Sequence, residues 1–227
     1  MRHNSTIRGL IFDFDGLILE TESPIFVATR ELYQSFGQEL SLGTWAKVIG
    51  ISPDEHDPVA DLEALVGISL DREKLRAKLS RRENELVLTQ EVLPGVEDYI
   101  VAAKENGLKL AIASSSSRKW VLGHLERLQL LRYFDAVCCS DDVERAKPDP
   151  ALYKLALEKI GLKPSQAIVF EDSPNGVLAA KRANLFCVAI PTALIAHLSL
   201  DHADLVLGSL ADVSLDELLN QLGSGKY

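Results

Sequence analysis

The chain is poor in cysteine: Cys138, Cys139 and Cys187 are the only three in 227 residues. An odd count, with two of them adjacent in an apolar run, does not make a disulfide framework, so a reducing cytoplasm is the expected setting. No run is long enough for a bilayer span. The most apolar late stretch, 185–200, contains Pro191 and His197 and falls short of the ~20 residues a spanning helix needs. Near the start, Leu10-Ile11-Phe12 is cut off by Asp13 with no small-residue cleavage site after it, so no secretory leader is expected. There is no basic excess either. A net charge of -9 repels nucleic acid and anionic lipid over most of the surface, leaving neither nucleic acid nor membrane as an expected partner. A small anionic metabolite would need a local cationic pocket, and a monomer is the default.

Several motifs are absent too. No Gly-x-Gly-x-x-Gly, Cys/His zinc spacing or Gly-x-Ser-x-Gly occurs, and His197 and His202 read as surface residues. Gly223-Ser224-Gly225-Lys226 imitates a phosphate-cradling loop, but the chain given ends at Tyr227, without the Ser/Thr and helix that must follow the Lys. This tail is expected to fray.

What is present is a repeated pattern. Hydrophobic residues make up 47% of the chain, enough for a full core. Short apolar runs at 7–14, 108–113, 136–139, 167–170 and 185–190 read as buried strands, and the first four lead into polar clusters: Asp13 and Asp15, four serines, Ser140-Asp141-Asp142, and Glu171-Asp172. Helical segments are expected near 94–106, 117–129, 149–160 and 174–184, several opened by Pro, Ser or Asp. Strand and helix alternate, which predicts an α/β parallel sheet sandwiched by helices, with its site at the strand C-termini. The interval 17–91 breaks the rhythm: it is rich in Glu, Arg, Leu and Ala, has helical spacing and no convincing strand, and reads as a helical insert after the first strand. The body is therefore expected from 1–16 and 92–227.

The acidic strand ends suggest chemistry. In Asp13-Phe14-Asp15-Gly16 the two carboxylates share one side of an extended segment. One could attack phosphorus while the other moves protons; a solvated turn or a calcium-like ligand pair fits the same residues. Glu171 and Asp172 could hold Mg²⁺ opposite Asp13, or Asp172 and Ser173 could simply cap the helix that starts at Pro174. Lys147, in a loop stiffened by Pro148 and Pro150, could be aimed at an anion or be a solvated surface lysine. Ser114, followed by Ser115, offers a hydroxyl and a backbone N–H to phosphoryl oxygens, or starts a turn. Together the groups make better sense than apart. Asp13, Glu171, Asp172 and a phosphate of roughly −2 total about −5, which Mg²⁺ and Lys147 reduce to about −2 if Asp15 starts protonated.

These four strand ends, in this order, make the sequence resemble the haloacid dehalogenase-like hydrolase superfamily, in the branch of β-phosphoglucomutase and sugar-phosphate phosphatases. Asp13-Phe14-Asp15-Gly16 resembles the first family motif, Ser114 the second, Lys147 the third and Glu171-Asp172 the fourth. The resemblance implies a Rossmann-like core with a helical cap at 17–91 and a Mg²⁺ cofactor. It implies Asp13 as nucleophile and metal ligand, and Asp15 as general acid/base with its carbonyl on the metal. Asp172 and Glu171 would be metal ligands, Ser114, Ser115 and Lys147 phosphoryl-binding residues, and Thr21 a neighbour of the site. Asp15 favours phosphate over halide chemistry. Ile25 and Pro53, standing where the mutase has a histidine and an arginine, favour water as acceptor, although Arg82 could replace a cap lysine. Trp45, Lys47 and Gly50 are the cap residues expected to face the site, with hinges at 16–21 and 91–94. The expected function is hydrolysis of a small phosphate ester; a sugar-phosphate mutase and a non-catalytic Mg²⁺- or phosphate-binding module are the alternatives.

Overall fold

A computed structural model describes residues 7–45, 48, 56–192, 194 and 200–224. Lys47, Gly50, Pro53 and His197, named above, lie outside them.

Six strands form one parallel sheet in the order β3-β2-β1-β4-β5-β6: β1 (Gly9–Phe12), β2 (Lys109–Ala113), β3 (Ala136–Cys138), β4 (Ala167–Glu171), β5 (Phe186–Ala189) and β6 (Leu205–Val206). β1 lies in the middle, with Phe12 level with Ile112 on one side and Phe170 on the other. The apolar runs are continuous because both faces of the sheet are covered. Leu10, Phe12, Ile112, Ile168 and Phe170 point into one core layer, and Ile11, Ala111, Ala113, Val169 and Cys187 into the other. The first layer is closed by α5 (Val96–Glu105), α6 (Arg118–Arg127) and α9 (Leu215–Gly223), the second by α7 (Ala151–Ile160) and α8 (Pro174–Arg182). This is the expected Rossmann-like α/β fold. The three cysteines are free and buried.

Chain order reverses between β1 and β4, where a crevice opens beyond the strand C-termini. Asp13, Ser114 and Asp172 each immediately follow one of the three central strands, and Glu171 ends one.

Among the described residues four helices follow β1 before the chain returns to the sheet: α1 (Glu22–Gln34), α2 (Leu42–Trp45), α3 (Pro58–Val66) and α4 (Arg72–Val87). They bury their own apolar cluster, which includes Phe26, Leu32, Tyr33, Trp45, Leu62 and Leu79. The two chain segments joining them to the sheet are tied together: Leu19 bridges Asp15 and Val92, and the Leu93 N–H donates to the Ile18 carbonyl at 2.9 Å.

Two elements, β6 and α9, went unread in the sequence. β6 has only two residues, Leu205 and Val206, too few for any periodicity. α9 is announced by a capping box, Ser214 with Glu217, a signal legible in the sequence. It runs through Gly223, so part of the tail expected to fray is helical. No helix among the described residues is long and apolar enough to cross a membrane.

Candidate active site

Asp13 extends the β1 ladder by one residue, its N–H donating to the Phe170 carbonyl at 2.9 Å. Phe14 turns fully into the core, leaving Asp13 and Asp15 to the crevice. The turn that follows needs Gly16. Its φ is +76°, and a Cβ there would sit 2.1 Å from Asp172 Oδ2, so both backbone conformation and space exclude a side chain.

The centre is an ion triad sealed from solvent. Lys147 Nζ donates to Asp13 Oδ1 at 2.5 Å and to Glu171 Oε1 at 2.6 Å, with Lys147 only 2% exposed. The Tyr153 hydroxyl, from α7, also donates to Glu171 Oε1, at 2.5 Å. The other oxygen, Oε2, accepts from the Asp172 N–H at 3.0 Å and from the Ser173 N–H and hydroxyl at 3.3 Å. Gly176, in the first turn of α8, is needed here, because a Cβ would fall 1.9 Å from the Glu171 carboxylate. Ser173 also caps α8, its hydroxyl accepting from the Gly176 N–H. The capping reading of this segment is thus met by Ser173, and Asp172 is left over.

Asp172 Oδ2 is buried with no hydrogen-bond partner among the described residues. One oxygen from each of Asp13, Glu171 and Asp172 lies within 4.8 Å of the others. An orphaned carboxylate oxygen converging with two more is a donor set suited to a hard divalent cation. The electrostatics agree. Burial, then the Glu171 and Asp15 charges, push Asp13 up to about 8 against the pull of Lys147. Burial and the Asp13 and Glu171 charges push Asp172 well above the carboxylate range. Burial would lower Lys147, but Asp13 and Glu171 outweigh it and keep the ammonium charged.

Asp13 makes the metal-free fold pH-sensitive. Its carboxyl keeps a proton up to about 8 in the folded state but releases it near 3.8 when unfolded. Between these values the folded state binds more protons, so stability falls as pH rises, with a slope of at most about 1.4 kcal/mol per pH unit from this group. Thermal melts in EDTA should therefore show a falling Tm from pH 5 to pH 8, and added Mg²⁺ should raise Tm most at pH 8. A Tm independent of pH and of metal would contradict this site.

Asp15 is oriented by three donors: Ser116 Oγ at 2.7 Å and Ser114 Oγ at 3.3 Å to Oδ2, and Trp120 Nε1 at 2.8 Å to Oδ1. These come from the loop after β2 and from α6, about a hundred residues away in sequence. The Ser115 hydroxyl is buried and has no partner among the described residues, as is true of that of Thr21 at the start of α1. Of the other expected residues, Trp45 is buried in the helical cluster against Phe26. Arg82 is occupied by ion pairs with Glu31 and Glu85.

The chain matches the sequence profile of the haloacid dehalogenase-like hydrolases over residues 10–190. It belongs to that family. Among the relatives of this hydrolase, Bacillus subtilis (strain 168) "Putative phosphatase YhcW" is 41% identical over 218 residues, covering 96% of this chain and 99% of that one. The "Phosphorylated carbohydrates phosphatase" of Thermotoga maritima is 34% identical, covering 95% and 98%. The fold is that of a Clostridium difficile β-phosphoglucomutase crystal structure, with a TM-score of 0.80, 23% identity and coverage of 97% and 98%.

Within this hydrolase the sequence missed four groups: Ser116 and Trp120 on Asp15, Tyr153 on Glu171, and the buried Glu22 beside Gly16. Burial, with the charges of Asp15, Glu20 and Asp13, pushes Glu22 up to about 8. Trp120 and Tyr153 carry no local signal, since each is recruited by a contact between elements, and Ser116 is one of four equal serines.

Proposed function

We propose that this enzyme is a Mg²⁺-dependent phosphatase that hydrolyses a small phosphomonoester, a sugar phosphate or similar, through an aspartyl-phosphate on Asp13. The observation that carries the reading is the pairing of a buried, lysine-bound Asp13 with an Asp15 held by three donors two residues on. The name of the Thermotoga maritima relative supports the sugar-phosphate class.

An Asp13 oxygen attacks phosphorus while Asp15 gives a proton to the departing alkoxide oxygen. Asp15 then takes a proton from the water that attacks the aspartyl-phosphate, releasing inorganic phosphate and restoring Asp13. Lys147, whose ammonium touches Asp13 Oδ1, and the unpartnered Ser115 hydroxyl, beside Ser114, receive phosphoryl oxygens. Asp13, Glu171, Asp172 and the Asp15 carbonyl would hold Mg²⁺, which when bound neutralises charge on the phosphoryl oxygens. Residues 17–91 act as a cap that excludes water, swinging about the tied segments near 16–21 and 91–94.

A mutase must hold and turn over a doubly phosphorylated sugar. Ile25 packs against apolar clusters, and Arg82 is engaged by Glu31 and Glu85. Both observations favour water as acceptor. The test is phosphate release from a panel of sugar and nucleotide monophosphates, with Mg²⁺ or with EDTA. Release from several esters that stops in EDTA is expected; no release from any of them would overturn the proposal. We place the enzyme in a reducing cytoplasm as a monomer.

A further inference from the structure

Along α4, Leu75, Leu79, Glu83 and Val87 recur every fourth residue, the spacing of one helix face. Leu75 and Leu79 pack into the cluster of the helical insert and Val87 into that of the sheet. Glu83 therefore stands on the inward stripe at the seam between the two clusters, where the pattern calls for an apolar residue. It is half-buried and has no hydrogen-bond or ion-pair partner among the described residues. Burial alone pushes its carboxyl up to about 7. Its neighbour Arg82 turns outward to Glu31 of α1. Arg82 and Glu83 thus run beside the part of α1 near Glu31, nine residues from Glu22, or about 14 Å at 1.5 Å per residue. Glu22 itself lies beside Gly16, its Cγ 3.5 Å from where a Cβ would be. At the seam between the two clusters Glu83 thus presents a carboxyl group with no ion-pair partner among the described residues.

We infer that Glu83 hydrogen-bonds hydroxyl groups at the end of the leaving group remote from the phosphate, so that the enzyme takes monophosphates of neutral, hydroxylated alcohols and disfavours those with a second anionic group. A carboxyl satisfies hydroxyls in either protonation state, as acceptor when ionised and as donor and acceptor when neutral. A second phosphate or carboxylate at the same place would be desolvated against a group of its own sign. This deepens the phosphatase reading and rests on it.

The test uses the Mg²⁺-loaded enzyme and three esters: a hexose monophosphate, the corresponding hexose bisphosphate, and p-nitrophenyl phosphate, whose leaving group has no hydroxyl besides its phenolic oxygen. Wild type should prefer the monophosphate to the bisphosphate. Glu83→Ala should lower kcat/KM for the hexose monophosphate, relative to p-nitrophenyl phosphate, about tenfold and mainly through KM. Glu83→Lys should reverse the preference between hexose monophosphate and bisphosphate. Equal effects on all three esters, unchanged ratios, or a wild-type preference for the bisphosphate would overturn the inference while leaving the phosphatase reading intact. No release from any of the three by wild type would remove both.

Discussion

Asp13→Asn should abolish phosphate release, lowering kcat by at least about 10⁴-fold, the scale of losing a nucleophile with no substitute. Asn keeps the size of the side chain, and Lys147 retains Glu171 Oε1 at 2.6 Å, so the variant should fold. An amide is a far weaker nucleophile at phosphorus than a carboxylate. It also gives a cation only a neutral oxygen, so the dependence of Tm on Mg²⁺ should shrink in the same variant. The comparison is made with Asp13→Asn and wild type at equal folded concentration, by circular dichroism and phosphate release. Turnover by Asp13→Asn at the wild-type rate would mean that the reaction runs elsewhere.

The largest effect on stability is expected at Lys147. Its ammonium lies between Asp13 and Glu171 and is 2% exposed. Lys147→Met fills nearly the same volume but leaves three converging carboxyls, those of Asp13, Glu171 and Asp172, without their cation. Removing one partner of a buried ionic cluster costs about 3–5 kcal/mol. The deficit should be largest in EDTA at pH 8, and smaller at pH 5, where Asp13 and Asp172, both raised by burial, relieve the repulsion by taking protons. Lys147→Arg should not rescue, because a planar guanidinium has no room between two oxygens placed to hold a single ammonium nitrogen. Urea denaturation at the two pH values checks this. Equal stability of Lys147→Met and wild type at pH 8 would show that the triad does not hold the strand ends together. Activity should fall too, by roughly 10²–10³-fold, the cost of removing one preorganised electrostatic partner.

Particular residues show how far the sequence could be read. Asp13, Asp15, Glu171 and Asp172 were legible because each lies at or just beyond the end of an apolar run, and a parallel sheet carries all such ends to one edge. Trp120 and Tyr153 were not. Each sits in a helix with nothing local to separate it from a core aromatic, and only the packing of α6 and α7 turns them onto Asp15 and Glu171. Serine was the right residue type after β2, but the tightest hydroxyl contact to Asp15 falls to Ser116, which a run of four equal serines could not indicate. Glu83 would have been dismissed as one more charge on an Arg- and Glu-rich helix. It stands out only once Leu79 and Val87 are seen to enter different clusters.

By itself the sequence determined the order of the first five strands and of the helices between them, and the identity of the acidic strand ends, because hydrophobic periodicity and punctuation by Pro, Gly and Ser are local properties. The tertiary structure alone decided which groups meet: Lys147 between Asp13 and Glu171, three donors on Asp15, and an Asp172 oxygen left without a partner among the described residues. Those contacts join residues up to 134 positions apart, and they exist only because packing on the two faces of the sheet brings the loops beyond β1, β2, β3 and β4 to one edge.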